Sequence, residues 1–183
     1  MADIPTLTTP RLVLRAFVPE DAAAVHTHLQ DIEMARTTAT VPYPYPEGTA
    51  EKWIASHAEK LAAGRVVLAI TLREDGTLVG AMTLNLDPAH RRGELGYWVG
   101  RAHWARGYAT EAADAMMRWG FRTLGLHRVH AAHMTRNAAS GAVLRKIGMR
   151  HEGTLRGHLL KWQMLEDLEV WGILEDEMEE REG

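Results

Sequence analysis

A chain of 183 residues, 46% apolar and 25% charged, has the length of one domain with a real core and the balance of a globular protein. It holds no cysteine, which excludes a disulfide framework and thiolate chemistry. The net charge is −3, and Glu175–Gly183 concentrates six acids against one arginine, so the near-neutral body offers no electrostatic footprint for nucleic acid.

The first residues, MADIPTLTTPRLVLR, contain no apolar run of signal-peptide length, and no later run reaches membrane-spanning length. A cytoplasmic protein is therefore expected. Arg11 to Val18 alternates as a strand does. Pro19-Glu20-Asp21 suits a first helical turn, and the expected helix runs from Ala22 to Ile32 with Ala22, Val25 and Leu29 on one face. Pro42, Pro44 and Pro46 make Thr37 to Gly48 a stiff loop that displays Tyr43 and Tyr45. A second helix is expected over Thr49 to Ala63, with Trp53, Ile54, His57 and Leu61 in register. Arg65–Leu72 and Leu78–Leu86 read as strands joined at Glu74-Asp75-Gly76-Thr77, where Asp-Gly supplies positive φ angles. A polar turn, Asp87 to Gly93, leads into a third strand of this meander, Leu95 to Val99.

That third strand opens the most informative stretch, Glu94 to Leu124. After it come a short loop, Arg101 to Arg106, and a helix opened by Gly107-Tyr108-Ala109-Thr110. Ala113, Met116, Met117, Gly120, Phe121 and Leu124 form the helix's apolar face. The helix is a crossover, so His127 to Thr135 is expected as a strand parallel to Leu95–Val99. Asn137 caps a further helix with Val143, Leu144 and Ile147 inward and Gly148 just past its end. Thr154–Leu160 and Leu165–Leu174 read as a last hairpin. The expected organisation is one domain over residues 1–175 and a frayed, solvated acidic tail over 176–183.

The N–H groups of Ala105 to Thr110 can receive an anion, since a helix's first turn has unpartnered donors and a positive dipole end. Sterics alone equally allow a plain crossover turn. Trp104-Ala105-Arg106-Gly107-Tyr108-Ala109 resembles motif A of the GNAT N-acetyltransferases, Gln/Arg-x-x-Gly-x-Gly/Ala, and most of all the RimJ/RimL-type branch. Trp104 stands where the broad family has Gln or Arg, and Ala105 where Gly is common. Thr9 to Arg15, the run Asn137 to Met149, Glu152-Gly153, Leu155 to His158 and Glu166-Asp167 are also similar to that branch, with Met149 in place of the usual Phe. The resemblance spans nearly the whole chain in order. It implies an α/β (α+β) GNAT fold: a mixed, mostly antiparallel sheet of about six or seven strands, splayed at the motif strand and flanked by about four helices.

The resemblance also implies an acetyl-CoA-dependent N-acyltransferase. Acetyl-CoA would place its diphosphate on Trp104, Ala105, Arg106, Gly107, Tyr108, Ala109 and Thr110, and its pantetheine arm against the backbone of Trp98, Val99 and Gly100. Asn137 is both a cap and a cofactor contact in this reading. Ser140 would protonate the leaving thiolate, a role that the family implies at the matching position in some members; the bland alternative is a first-turn serine. Glu94, at the strand entry, would draw a proton through water, or is a surface carboxylate. Tyr43, Tyr45 and His158 would contact the acceptor; otherwise the tyrosines pack down and the histidine is merely exposed. His127, His130 and His133 fall on alternating faces of a strand, so no metal is expected. The expected partners are acetyl-CoA and either a protein N-terminus, ribosomal proteins included, or a small amine such as a polyamine, amino acid or antibiotic. A homodimer stands as an option, and neither nucleic acid nor membrane is expected. A non-catalytic acyl-CoA-binding module is the rival of another class.

Overall fold

The computed structural model describes residues 4–180. Eight strands lie in one sheet: β1 (Leu7–Thr8), β2 (Leu12–Arg15), β3 (Arg65–Leu72), β4 (Leu78–Asp87), β5 (Arg92–Val99), β6 (Arg128–Met134), β7 (Arg150–Lys161) and β8 (Met164–Leu174). Their order is β1-β2-β3-β4-β5-β6-β8-β7. Neighbours are antiparallel except β5 and β6, which run parallel because α5 (Tyr108–Arg122) crosses over between them. The two-residue β1 is the addition to the expected strands; a pair of residues is too short to carry a period.

The β5–β6 pairing covers only Arg92 to Glu94 against Arg128 to His130. Beyond it the strands diverge, while β5 stays paired with β4 along its length. The sheet is thus open on one side of β5 from Leu95 to Val99.

Each face of the sheet has its own core. On one face α5 and α6 (Ala138–Lys146) cover Leu12, Leu68, Ile70, Met82, Leu84, Leu95 and Val129, with Met116, Met117 and Phe121 of α5 buried among them. Gly120 lets α5 approach closely: an added Cβ would lie 3.1 Å from Leu126 and 3.4 Å from Leu84. On the other face Ala22, Val25, Leu29, Met34 and Ile54 pack over Ala69, Leu78 and Trp98.

That second layer is more broken than its hydrophobic pattern indicates. The helix expected over Ala22–Ile32 is two, α1 (Ala22–Leu29) and α2 (Ile32–Thr37), because the Asp31 carboxylate accepts from the Glu33 N–H at 2.9 Å and starts a new helix. The helix expected over Thr49–Ala63 likewise divides into α3 (Thr49–Ala55) and α4 (His57–Ala62) at Ser56. The expected acidic tail also needs correcting. The chain continues as α7 (Glu175–Glu180), and Met178 is 2% exposed within the main core. The Glu177 carboxylate accepts from the Leu174 N–H at 2.9 Å and pairs with Arg150 at 2.7 Å. One apolar side chain among acids is enough to dock the turn, so Asp176–Met178 is not a solvated end; residues 181–183 lie outside the described residues.

Candidate functional site

The loop between β5 and α5 has the backbone of an anion cradle. Ala105 at φ 58° and Gly107 at φ 81° both take left-handed conformations, which turn successive N–H groups to one side. Ala105 stands where the resembled pattern favours glycine, and its positive φ explains that preference. No side chain caps the start of α5. The loop is held from behind by a residue pair that the sequence reading did not single out. The Arg11 guanidinium donates to the Arg106 carbonyl at 2.9 Å and to Glu111 at 2.6 Å, and lies 4.9 Å from the centre of the Tyr108 ring. Glu111 also accepts from the Thr9 hydroxyl at 2.6 Å and the Arg11 N–H at 2.9 Å. Burial works to raise the Glu111 carboxyl, but these donors together hold it below its ordinary value.

Antiparallel alternation decides which backbone groups of β5 face the opening. Gly100 N–H donates to the Val79 carbonyl at 2.8 Å, and Trp98 lies opposite Ala81, so the even-numbered residues turn toward β4. The odd ones turn away from it, as the Arg91 carbonyl does in accepting from His127 at 2.6 Å. The expectation that Trp98, Val99 and Gly100 all offer free backbone is therefore corrected. The groups facing the opening belong to Tyr97 and Val99, and the Val99 carbonyl already accepts from the Trp104 indole at 2.6 Å. Trp104 thus ties the loop to the strand, and the Trp98 side chain packs in the opposite layer.

Ser140 lies in the first turn of α6. Its N–H is capped by the Asn137 side chain at 3.2 Å, and the Asn137 amide donates to the Thr37 carbonyl at 3.1 Å. Asn137 is thereby both a cap and a tie to α2. The Ser140 hydroxyl is 2.7 Å from the phenol of Tyr97. In the sequence Tyr97 is one position within the strand Leu95 to Val99; its partner stands 43 residues away, where no local spacing reveals it. Burial pushes the Tyr97 phenol up to about 12, against the opposing effect of the Ser140 hydrogen bond.

Glu94 does not join this pair. As an even-numbered residue it lies on the other face of the sheet from Tyr97, exposed, with the Asn85 amide 3.4 Å away. It lines a depression of about 240 Å³ with Asn85, Asp87, Arg92 and His130, beside the point where β5 and β6 part. Burial holds His130 below its ordinary value despite Glu94, and its Nδ1 is buried without a partner. His127, His130 and His133 do not converge, and no group of three metal-binding side chains occurs among the described residues. His133 accepts from the Trp171 indole at 3.1 Å.

A larger cavity, about 470 Å³, opens between the end of α2, the start of α6 and the β7–β8 turn. Its lining includes Arg36, Thr37, Arg136, Asn137, Trp162 and Met164. The proline loop beside it is pinned by Lys161, whose buried ammonium donates to the carbonyls of Thr38 and Val41 at 2.9 Å and of Ala39 at 3.4 Å. The two tyrosines of that loop separate. Tyr43 is 45% exposed, whereas Tyr45 is 8% exposed in the second core with its ring against His26. Tyr45 is therefore a packing residue, a correction to its expected acceptor contact. His158 is exposed on β7.

A family model described as an acetyltransferase (GNAT) domain matches residues 11–150. The uncharacterized N-acetyltransferase YoaA of Bacillus subtilis is 30% identical over 174 residues, 93% of this chain and 97% of that one. The ribosomal protein uS5-alanine N-acetyltransferase of Escherichia coli is 36% identical over 66 residues, 36% of this chain and 34% of that one. Among solved structures, a GNAT-family acetyltransferase from Bacillus anthracis superposes with a TM-score of 0.83 at 26% identity, covering 94% of this chain and 99% of that one.

Proposed function

The chain belongs to the GNAT acetyltransferase domain family and is an acetyltransferase, and from that premise we propose that it moves the acetyl group of acetyl-CoA directly to a protein N-terminal α-amine. The observation that carries this reading is the open side of β5, where Tyr97 and Val99 turn backbone groups toward a gap that ends at the left-handed loop Trp104–Gly107. A pantetheine arm is a chain of amides and pairs with such an edge as an added strand would. Its diphosphate then meets the N–H groups of Ala105 to Thr110. Acetyl-CoA supplies the acetyl group and departs as a thiolate. An N–H of Val99 or Tyr97 stabilises the oxygen of the attacked carbonyl, and Ser140 supplies the proton to sulfur. Glu94, beside the point of divergence, takes the acceptor's proton through water.

The acceptor enters by the 470 Å³ cavity; Tyr43 and His158, both exposed, are the side chains assigned to contact it from outside the lining. Glu33 is the carboxylate in the lining of this cavity, and Arg36 already engages it at 2.8 Å, so an amine that is already partly neutral is favoured. An α-amine titrates at about 7.7–8.0 and a lysine at about 10.4, which leaves the lysine some hundreds-fold poorer in the reactive form. The name of the Escherichia coli relative supports the same class of acceptor.

Two results are expected. Gly107→Val forces a β-branched residue into φ 81° and is expected to raise the acetyl-CoA dissociation constant at least tenfold, about 1.4 kcal/mol. Calorimetric titration of the folded variant checks it, and an unchanged constant removes the loop assignment. Peptides with a free α-amine are expected to release CoA thiol, and N-terminally blocked peptides carrying lysine are not. Equal rates on both overturn the α-amine choice; turnover only on spermidine or amino acids moves the acceptor to small amines. Tight acetyl-CoA binding with no turnover on any of them identifies a sensing module.

A further inference from the structure

We propose that Tyr97 is a positioning residue for the Ser140 proton donor: its phenol donates to the Ser140 hydroxyl oxygen and thereby turns the serine proton toward the leaving sulfur. The inference rests on the reading of Ser140 given above. The contact is 2.7 Å between oxygens, and it joins β5 to the first turn of α6 across the sheet face that α5 and α6 cover.

Two hydroxyls in contact can be ordered in two ways. If the serine donated, the phenol proton would need another acceptor, and the best on offer is the Ser140 carbonyl at 3.4 Å, a poor distance. If the phenol donates, its proton is well placed at 2.7 Å and the serine proton is left free. The phenol is also the stronger acid of the two, which favours the second order. Asn137 completes the arrangement by capping the Ser140 N–H at 3.2 Å, so backbone and hydroxyl are each held by a separate partner.

Geometry separates positioning from proton supply. The phenol proton lies in the 2.7 Å contact with the serine oxygen, and burial pushes the phenol up to about 12, so Tyr97 keeps its proton across the working range while the serine proton is the one left to face the sulfur. A serine hydroxyl is a weak acid, so it acts as a positioned donor whose proton moves only as the sulfur takes on charge. In the transfer, the Ser140 O–H bond breaks as the S–H bond of CoA forms, and the Tyr97 hydrogen bond stabilises the charge growing on the serine oxygen. The proton that the acceptor amine releases passes through water to Glu94 and on to solvent, and solvent returns one to Ser140, so the balance closes without a further reactant.

The test uses the whole protein and needs no identified acceptor, because hydrolysis of acetyl-CoA by water expels the same thiolate. A peptide with a free N-terminal alanine is the second probe. Tyr97→Phe keeps the ring and is expected to lower kcat about tenfold, the worth of one hydrogen bond, while the KM for acetyl-CoA moves less than about twofold. Ser140→Ala is expected to be slower still, and the double variant no slower than Ser140→Ala alone, because the phenol then has nothing to position. With the acetyl thioester of a more acidic thiol the Tyr97→Phe defect shrinks, since a better leaving group needs less proton. A merely structural tyrosine would give an additive double variant and a defect independent of the thiol, and either result overturns the proposal. Normal turnover in Tyr97→Phe with a slow Ser140→Ala overturns the role of Tyr97 alone; normal turnover in Ser140→Ala removes the proton donor itself.

Discussion

At pH 5 the His57→Leu variant is expected to exceed the natural protein in stability by about 2 kcal/mol, with little difference or a small gain at pH 8. His57 is 8% exposed, with its ring edge-on to Trp53 at 4.4 Å and Phe17 at 5.2 Å. Both ring nitrogens are buried without a hydrogen-bond partner. Burial is the first cause, with Lys60 and Arg65 adding repulsion, that lowers His57 from 6.5 to about 4. The folded protein therefore holds this imidazole neutral while the unfolded chain takes up a proton below about 6.5. The unfolded state binds more protons in that window, so stability is intact above it and falls as pH drops from about 6.5 to 4, by about 3 kcal/mol in full. Leucine has no proton to gain and leaves no unsatisfied N–H. Melting temperatures at pH 8 and pH 5 check this: the acid loss of the natural protein should exceed that of the variant by about 6 °C. Parallel pH dependence in the two proteins would show that His57 does not titrate on unfolding.

Lys161→Met is expected to lower stability by about 3 kcal/mol and to raise the acceptor KM while leaving acetyl-CoA binding in place. Methionine has similar reach but no donors, so the carbonyls of Thr38, Ala39 and Val41 lose the ammonium that gathers them. Burial, with Arg136 in second place, already draws the Lys161 ammonium below its ordinary value, which marks how dry this junction is. Freed of it, the loop carrying Tyr43 and the β7–β8 turn carrying Trp162 no longer keep one spacing across the cavity. The left-handed loop at Gly107, proposed to receive the diphosphate, belongs to a separate part of the fold. Denaturant unfolding and separate saturation curves for the two substrates check both halves. A variant with unchanged stability, or one that loses acetyl-CoA affinity instead, contradicts this account of Lys161.

What the sequence displayed was whatever repeats locally. The strand Leu95 to Val99, the Asp75-Gly76 turn, the long face of α5 and the cap at Asn137 each lie within a few residues, and each is found in place. The breaks at Asp31 and Ser56 were hidden because the apolar pattern runs on through them. Tyr43 and Tyr45 occupy the same kind of position between prolines, and only the packing of α1 and α3 separates the exposed one from the buried one. Met178 reads as a stray apolar residue among acids until β8 delivers it to the core. The site depends most on contacts of this distant kind: Tyr97 with Ser140, Arg11 with Glu111, and Lys161 with Thr38 are pairs that no spacing rule connects.

Among the described residues, three residue pairs between β5 and β6, extended by the bond from the His127 N–H to the Arg91 carbonyl, join the sheet's two halves edge to edge, β1 to β5 on one side and β6, β8 and β7 on the other. A seam so short is a fracture line, bridged mainly by the layer of α5 and α6. An extended ligand seated along Tyr97 and Val99 would act as a splint across it. In the proposed pose the acyl donor would then contribute mechanically as well as chemically: loading it would stiffen the molecule along this seam, and release of spent CoA would restore the play.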